Sequence, residues 1–297
     1  MSDIPSQTDA PRLIGSQFAQ CTLRELIGVG GTAEVYRASQ RGYGNDCAVK
    51  VLRRERLDER DRVKAFQNEF DILHRLACPG IPVAQKSGEI DSRPCFQMDL
   101  MQGETLAALQ ADHAVLPGPS LLIAATRIVA FLHEHNLVHN DLKLENMILG
   151  PDGGLSLIDF GNAREARDSV IARLFHRKIE QIFGTITYVA PELLAGKRPS
   201  TQSDVYALGV CAFLLLTGKP PFQPGKAQDR PSERLRRLQE AKIPSIRDHL
   251  KNLPTQIATA IDACLARDPE RRPDDAGVLL KIFSGWHRPP SGLLRAR

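Results

Sequence analysis

The segment His139-Asn140-Asp141-Leu142-Lys143-Leu144-Glu145-Asn146, followed downstream by Asp159-Phe160-Gly161, holds the densest chemistry in the chain. Between these blocks run two short β-like stretches, 146–150 and 155–159, separated by Pro151-Asp152-Gly153-Gly154, a strong turn signal. If that turn closes a hairpin, Leu149 is expected to pair with Ser156, and the same antiparallel register sets Asn146 opposite Asp159. Two oxygen ligands then come within reach of one hard cation. Asp141 is expected at the mouth of this hairpin with Lys143 beside it. A solvated polar loop is the bland alternative, and it does not account for the combination at this spacing.

Two upstream features gain meaning from this one. In Cys47-Ala48-Val49-Lys50-Val51-Leu52, alternation puts Cys47, Val49 and Val51 on one face and Ala48, Lys50 and Leu52 on the other, so a lysine projects from an apolar face. A snorkelling lysine at a sheet edge is the ordinary reading. A helix predicted over Leu57–Ala77 offers a partner, however. At about 100° per residue, Glu69 falls within the stripe of Val63, Phe66, Ile72, Leu73 and Leu76. A buried-face glutamate and a buried-face lysine each need an opposite charge. Upstream again, Gly28-Val29-Gly30-Gly31-Thr32-Ala33-Glu34-Val35 lies between two β-like runs, and side-chain-free residues there let backbone N–H groups approach phosphate oxygens. Glycine-rich hairpin turns are common, so this motif is weak by itself.

Around these motifs the chain reads as a small β-rich region from Thr22 to Met101 joined to a larger helical one. Helices are predicted over Leu106–Ala111, Ser120–His135, Thr201–Thr217, Arg230–Lys242, Thr255–Ala266 and Asp275–Ser284. Residues 1–17 and 287–297 read as flexible tails. The 297 residues are 42% apolar, 25% charged and 5% aromatic, which suits a soluble globular protein and excludes collagen-like, disordered and membrane classes. A net charge of +4 and few aromatics give no reason to expect a nucleic-acid or membrane partner. The cysteines at 21, 47, 78, 95, 211 and 264 show no CxxC spacing and read as reduced thiols, with a cytoplasmic location expected. The N-terminal residues lack the pattern of a secretory signal or a lipidation site.

Taken together, these motifs resemble the eukaryotic-like (Hanks-type) serine/threonine protein kinases, in the short form known from bacteria. The resemblance runs from Leu26 to Arg272 and meets the family signatures in order. It implies an α+β, two-lobed protein kinase fold over 18–286: a β-rich N-lobe with one long helix (18–98), a hinge (99–103) and a mainly helical C-lobe (104–286). It implies ATP as cofactor with magnesium, or manganese in its place, and a protein serine or threonine hydroxyl as acceptor. Asp141 matches the catalytic base and Lys143 the residue that steadies the γ-phosphate. Lys50 matches the lysine on the α- and β-phosphates, and Glu69 its helix partner. Asn146 and Asp159 match the metal ligands, and Thr185 the hydroxyl that braces Asp141 and Lys143. Gly28, Gly30, Gly31 and Val35 match the nucleotide loop. Ala48, Met98 (as gatekeeper), Asp99, Met101 and Ile148 are implied around the adenine. Asp204 matches the brace of the catalytic loop, and Arg272 the partner of Glu192.

Three departures stand out. Ala33 occupies the place of the third loop glycine, Cys47 replaces an aliphatic residue on the lysine strand, and Asn140 replaces the arginine that usually precedes the catalytic aspartate. In relatives that arginine binds a phosphate on the activation segment, and asparagine cannot. Between Arg164 and Gly184 the only side-chain hydroxyl is that of Ser169. Ile171, Leu174, Phe175, Ile179 and Ile182 have the spacing of an apolar helical stripe. The expectation is a helix docked on its own lobes or on a second copy of the protein, giving a homodimer. Two rival readings accompany the kinase one: a pseudokinase scaffold, which would usually lack Lys50, Asp141 or Asp159, and a small-molecule phosphotransferase, against which the Glu192 and Arg272 pair argues.

Overall fold

The structure is a computed structural model that describes residues 13–40, 46–166, 185–222 and 243–286. The chain divides into two compact units, Met1–Gln102 and Gly103–Arg297.

The first unit is built on an antiparallel sheet of six strands in the order β1-β2-β3-β4-β6-β5. These are β1 (Gln17–Phe18), β2 (Cys21–Val29), β3 (Ala33–Gln40), β4 (Asp46–Leu52), β5 (Ala84–Ile90) and β6 (Arg93–Asp99). One face carries the apolar cluster of Cys21, Leu23, Tyr36, Ala38, Cys47, Val49 and Val51. The opposite face receives helix α1 (Arg60–Arg75), whose buried residues are Phe66, Glu69, Ile72 and Leu73. The Phe66 and Phe70 rings lie 5.0 and 5.8 Å from that of Phe96 on β6. Phe96 faces Lys50 in the strand register, so Lys50 emerges on the side where α1 packs. The helix is shorter than the predicted Leu57–Ala77, because the 3-10 turn Arg54–Arg56 runs on through a turn at residues 57–58, with the Leu57 and Glu59 amides donating back to the Arg54 and Arg56 carbonyls, and the helix begins only at Arg60.

Residues 13–17, expected to belong to a flexible tail, are ordered against the sheet. Leu13 is buried in the apolar cluster. The Gly15 amide donates to the Leu23 carbonyl (2.8 Å), and the Leu23 amide to that of Ser16 (3.0 Å). A single leucine inside a polar stretch leaves no periodicity to read, yet one well-packed side chain with two backbone hydrogen bonds orders the segment.

The second unit is mainly helical: α2 (Leu106–Ala111), α3 (Gly118–Glu134), α4 (Pro191–Leu194), α5 (Thr201–Thr217), α6 (Thr255–Cys264) and α7 (Ala276–Ser284). Helix α5 is apolar on nearly every side and buried accordingly, opened by a Ser200/Ser203 capping box and closed by Gly218 at φ 70°. Two small sheets accompany the helices. In one, β7 (Glu104–Thr105) and β10 (Leu155–Leu157) flank β9 (Met147–Leu149), and in the other β11 (Arg164–Glu165) pairs with β8 (Leu137–Val138). Gly103, at φ 125°, brings the chain so close to the Leu149 carbonyl that a Cβ would collide with it.

The β9–β10 hairpin forms, one residue out of the expected register. Leu149 pairs with Leu155 and Ile148 with Ser156. The loop is closed between Gly150 and Gly154 (2.8 Å), with Gly153 at φ 81°. Including Gly150 in the loop shifts the ladder, so the residue facing Asn146 is Ile158, whose amide donates to the Asn146 carbonyl (2.9 Å). Asp159 therefore stands just beyond the ladder and not opposite Asn146.

Gly209 fixes the spacing of α5 against α6, since a Cβ there would stand 2.6 Å from the Cys264 Cβ. Gly209→Ala is expected to lower the unfolding free energy by about 1–3 kcal/mol through overpacking. Urea denaturation measures this, and an unchanged midpoint would contradict the close approach.

Candidate active site

The loop after β8 is held from beneath by one buried carboxylate. Asp204, near the start of α5, accepts the backbone N–H of His139 on Oδ2 (2.7 Å) and that of Asn140 on Oδ1 (2.9 Å). His133 Nε2 lies 3.3 Å from the same Oδ2, while the Ala276 amide at the head of α7 donates to His133 Nδ1 (3.1 Å). His133 thus ties α3, α5 and α7 to the loop, a role invisible to a reading that treats it as one more residue on an apolar helix. His139 is fully buried, with its ring edge-on to Phe160 at 4.8 Å. Its Nδ1 accepts the Asp141 amide (3.3 Å), which places the neutral ring's proton on Nε2.

Asp141 emerges from this frame with its predicted neighbours around it. Lys143 Nζ donates to both carboxylate oxygens (3.1 and 3.0 Å), and Asn146 Nδ2 donates to the Asp141 carbonyl (2.8 Å) and to Oδ2 (3.3 Å). Asn140 and Asp159 both sit in the left-handed region, at φ 62° and 63°. Asn and Asp tolerate that region better than most residues. Asp159 is exposed while the next residue, Phe160, is fully buried. Asn140 Nδ2 donates to the Asn162 carbonyl (3.1 Å), as does the Arg164 guanidinium from Nε (3.1 Å) and Nη2 (3.0 Å).

In the first unit, Lys50 Nζ lies 2.6 Å from Glu69 Oε1 and 2.8 Å from Oε2, and both residues are buried. Register puts further predicted residues on the same sheet face, because Val35 pairs with Lys50 and Ala48 with Met98. Gly30 closes the glycine turn by donating to the Ala33 carbonyl (2.8 Å), so the alanine that replaces a glycine is the first residue of β3. The Asp99 amide donates to the Val83 carbonyl (3.1 Å), and its carboxylate accepts the Val83 amide (3.0 Å) and Gln85 Nε2 (3.3 Å). A second buried pair escaped the sequence reading. Arg93 donates from Nη2 to Glu34 (2.8 Å) and from Nε to the Leu52 carbonyl (2.8 Å), and the Tyr36 hydroxyl donates to Glu34 (2.8 Å). The signal lay in the charge of Glu34 inside an otherwise apolar alternation.

Far from Asp141 in sequence, Arg272 meets Glu192 in a buried bidentate pair, 2.7 Å at each oxygen. Its remaining donors reach the carbonyls of Ala266, Gln202 and Arg267, so all five guanidinium hydrogens have acceptors. Thr185 begins a 3-10 turn through Tyr188, but its hydroxyl lies outside the described residues. So do Ser169, the stripe from Ile171 to Ile182, the segment 230–242 and the C-terminal tail. Burial pushes the thiols of Cys47, Cys95 and Cys264 up to about 12, which leaves them protonated and unreactive at neutral pH.

Each unit, taken by itself, carries groups of a kind that suit a nucleotide or its hard cation. With Nδ2 of Asn146 directed at Asp141, its carbonyl oxygen is the atom left for a metal, and Asp159 supplies a carboxylate. Among the described residues no group of three or more His, Cys, Asp and Glu side chains is placed to hold a metal by itself. Magnesium characteristically takes one or two protein oxygens and completes its shell with phosphate and water. At the glycine turn, a Cβ on Gly31 would meet nothing within 4 Å, and one on Gly30 only the Ala33 carbonyl at 3.5 Å, so the backbone is open to an approaching phosphate. Among the described residues no helix is long and apolar enough to cross a membrane.

Comparison with known proteins matches residues 21–281 to the model of the protein kinase domain. The serine/threonine-protein kinase PknF of Mycobacterium tuberculosis is 31% identical over 271 residues, which cover 88% of this chain and 55% of that protein. PknB of Mycolicibacterium smegmatis is 30% identical over 275 residues (89% and 43%), and PrkC of Bacillus subtilis 29% over 268 residues (89% and 40%). The chain therefore spans about half the length, or less, of these curated relatives.

Desolvation holds the His139 imidazole below its ordinary value of 6.5, against the pull of the Asp204, Asp141 and Asp159 carboxylates. A histidine whose folded pKa is depressed binds fewer protons in the native state, so its share of stability is complete above the unfolded value and is lost as pH falls. The unfolding free energy is expected to decline below about pH 6.5, with a slope of up to about 1.4 kcal/mol per pH unit from this proton. His139→Gln should lack that component. Equal slopes for both proteins in urea titrations from about pH 7 to pH 5 would contradict the assignment.

Proposed function

The chain belongs to the protein kinase family, and from that premise we propose that it is a serine/threonine protein kinase, transferring the γ-phosphoryl group of ATP to a protein hydroxyl with magnesium or manganese. The observation that carries this reading is the Asp141 carboxylate held by Lys143 and Asn146 at hydrogen-bond distance on a loop anchored by Asp204. Phosphoryl transfer passes through a loose transition state, so positioning and charge stabilisation supply most of the catalysis.

Asp141 would accept a hydrogen bond from the acceptor hydroxyl and take its proton as the oxygen attacks. Lys143, already beside Asp141, would share its charge with the migrating phosphoryl group. Asn146 and Asp159 would hold the metal, which when bound neutralises phosphate charge. Lys50, aimed by Glu69, would hold the α- and β-phosphates, while the Gly31 amide would be offered to phosphate oxygens and Gly28 and Gly30 would keep side chains out of their way. Val35, Ala48, Met98 and Ile148 would line the adenine, with the Asp99 carbonyl and the backbone of Met101 as hydrogen-bonding edge. Thr185 would brace Asp141 and Lys143. Six free cysteines suit a reducing cytoplasm, where ATP is also found.

Incubation with labelled ATP and magnesium, with and without a generic basic protein, tests the reading. Label in the protein supports it, label in a small molecule points to a small-molecule phosphotransferase, and none points to a scaffold. Asp159→Ala is expected to abolish metal-dependent ATP binding and activity together. Asp141→Asn should leave ATP affinity near normal while transfer falls by about 10²–10⁴. Calorimetry showing equal losses of ATP affinity would overturn this division of roles. Lys50 and Glu69 should act as a unit, either single substitution costing nearly as much kcat as both. Additive losses in a double-mutant cycle would break the pairing.

A further inference from the structure

The segment that follows β4 grips the glycine turn through three hydrogen bonds. The Arg53 amide donates to the Thr32 carbonyl (3.0 Å), Arg53 Nη1 to the Gly30 carbonyl (3.3 Å) and Arg56 Nε to the Gly31 carbonyl (3.0 Å). Three successive carbonyls of the turn are thus directed at the Arg53–Arg56 segment. In a planar trans peptide the C=O of one residue and the N–H of the next point in opposite directions. The amides of Gly31 and Thr32 therefore face away from the arginines, and nothing stands within 4 Å of a Cβ at Gly31.

Without this grip, two adjacent glycines could rotate their peptide planes at little cost. A flipped plane would turn a carbonyl, with its partial negative charge, toward an arriving phosphate. The guanidinium groups are themselves aimed: Arg56 Nη1 pairs with Glu59 at 2.5 Å, and Arg53 with Glu55 at 3.3 Å. The Arg56 hydrogen bond also holds the Glu59 carboxyl below its ordinary value. The Arg53 side chain is 13% exposed and that of Arg56 28%, so water competes only in part for these contacts.

We propose that Arg53 and Arg56 are positioning residues for phosphate recognition, holding the glycine turn so that the Gly31 and Thr32 amides are presented to the nucleotide. The inference rests on the reading of the chain as an ATP-dependent kinase, but concerns two residues to which that reading gives no role. Direct phosphate binding by the same guanidinium groups is the competing account. It is disfavoured because their donors are engaged with carbonyls and their charge is offset by Glu55 and Glu59.

The test compares wild type with R53A/R56A, with R56A, and with R54A as control. Arg54 lies in the same 3-10 turn and carries the same charge, but its guanidinium pairs with Asp91. Calorimetric titration with magnesium-ATP and with adenosine is paired with hydrogen exchange of residues 28–34 in nucleotide-free protein. R53A/R56A is expected to bind ATP about tenfold more weakly, to bind adenosine as wild type does, and to exchange faster in the turn. R56A should fall between, and R54A should match wild type in all three measurements. Wild-type affinity for ATP or wild-type exchange in R53A/R56A would overturn the inference, and so would an equal loss in R54A, which would make the effect one of charge. A wild-type protein that bound no ATP would instead overturn the functional reading beneath it.

Discussion

Burial of the Asp204 carboxylate sets the condition on which the second unit depends. A charge at 1% exposure is tolerable only if hydrogen bonds replace the water it has lost. The amides of His139 and Asn140 and the ring of His133 supply them. Because two of these donors belong to the backbone of the Asp141 loop, satisfying the carboxylate and shaping the loop are one event. The loop cannot swing away from α5 without stranding a buried charge. Asn140 adopts φ 62° within this arrangement, a conformation that an isolated chain would seldom hold but the surrounding bonds specify.

The other buried charges obey the same requirement with different consequences. Arg272, bonded to Glu192 and to three backbone carbonyls, has no hydrogen left to offer, which is how a purely structural pair behaves. Arg93 and Glu34, joined by the Tyr36 hydroxyl, fix β6 to the strand that follows the glycine turn. The Lys50 and Glu69 pair differs in setting. It emerges on a sheet face shared with Val35, Ala48 and Met98, the residues expected around a nucleotide, so a third charged group could join it there. Location, more than strength, separates the pair with a proposed role in chemistry from those that hold the fold.

Much of this was legible because the signals were local. The alternation through Cys47–Leu52 set the faces of β4, and the stripe through Phe66 and Leu73 set Glu69 against Lys50. What stayed hidden depended on contacts between distant residues or on the closure of a single loop. Whether Gly150 belongs to strand or loop is decided by a hydrogen bond to Gly154, and that one residue moved Asp159 off the Asn146 register. His133 looks like any residue of an apolar helix until Asp204 and the Ala276 amide come up on either side of it. Leu13 gave no pattern because its burial depends on a sheet that forms later in the chain.

Asn140 shows how a departure from family expectation becomes intelligible through backbone geometry. The loop requires a residue in the left-handed region at this point, and asparagine reaches that region more readily than a longer side chain. Its short amide also arrives, with the Arg164 guanidinium, at the Asn162 carbonyl, linking the loop that carries Asp141 to the segment following Asp159. β11 pairs with β8 directly before that loop, so backbone and side-chain bonds tie the same two segments. An arginine at 140 would bring a second guanidinium toward Arg164, and an anion between them would offset the repulsion of the two like charges. With asparagine the link is neutral on one side, and the positions of Asp141 and Asp159 are joined by hydrogen bonds internal to the unit.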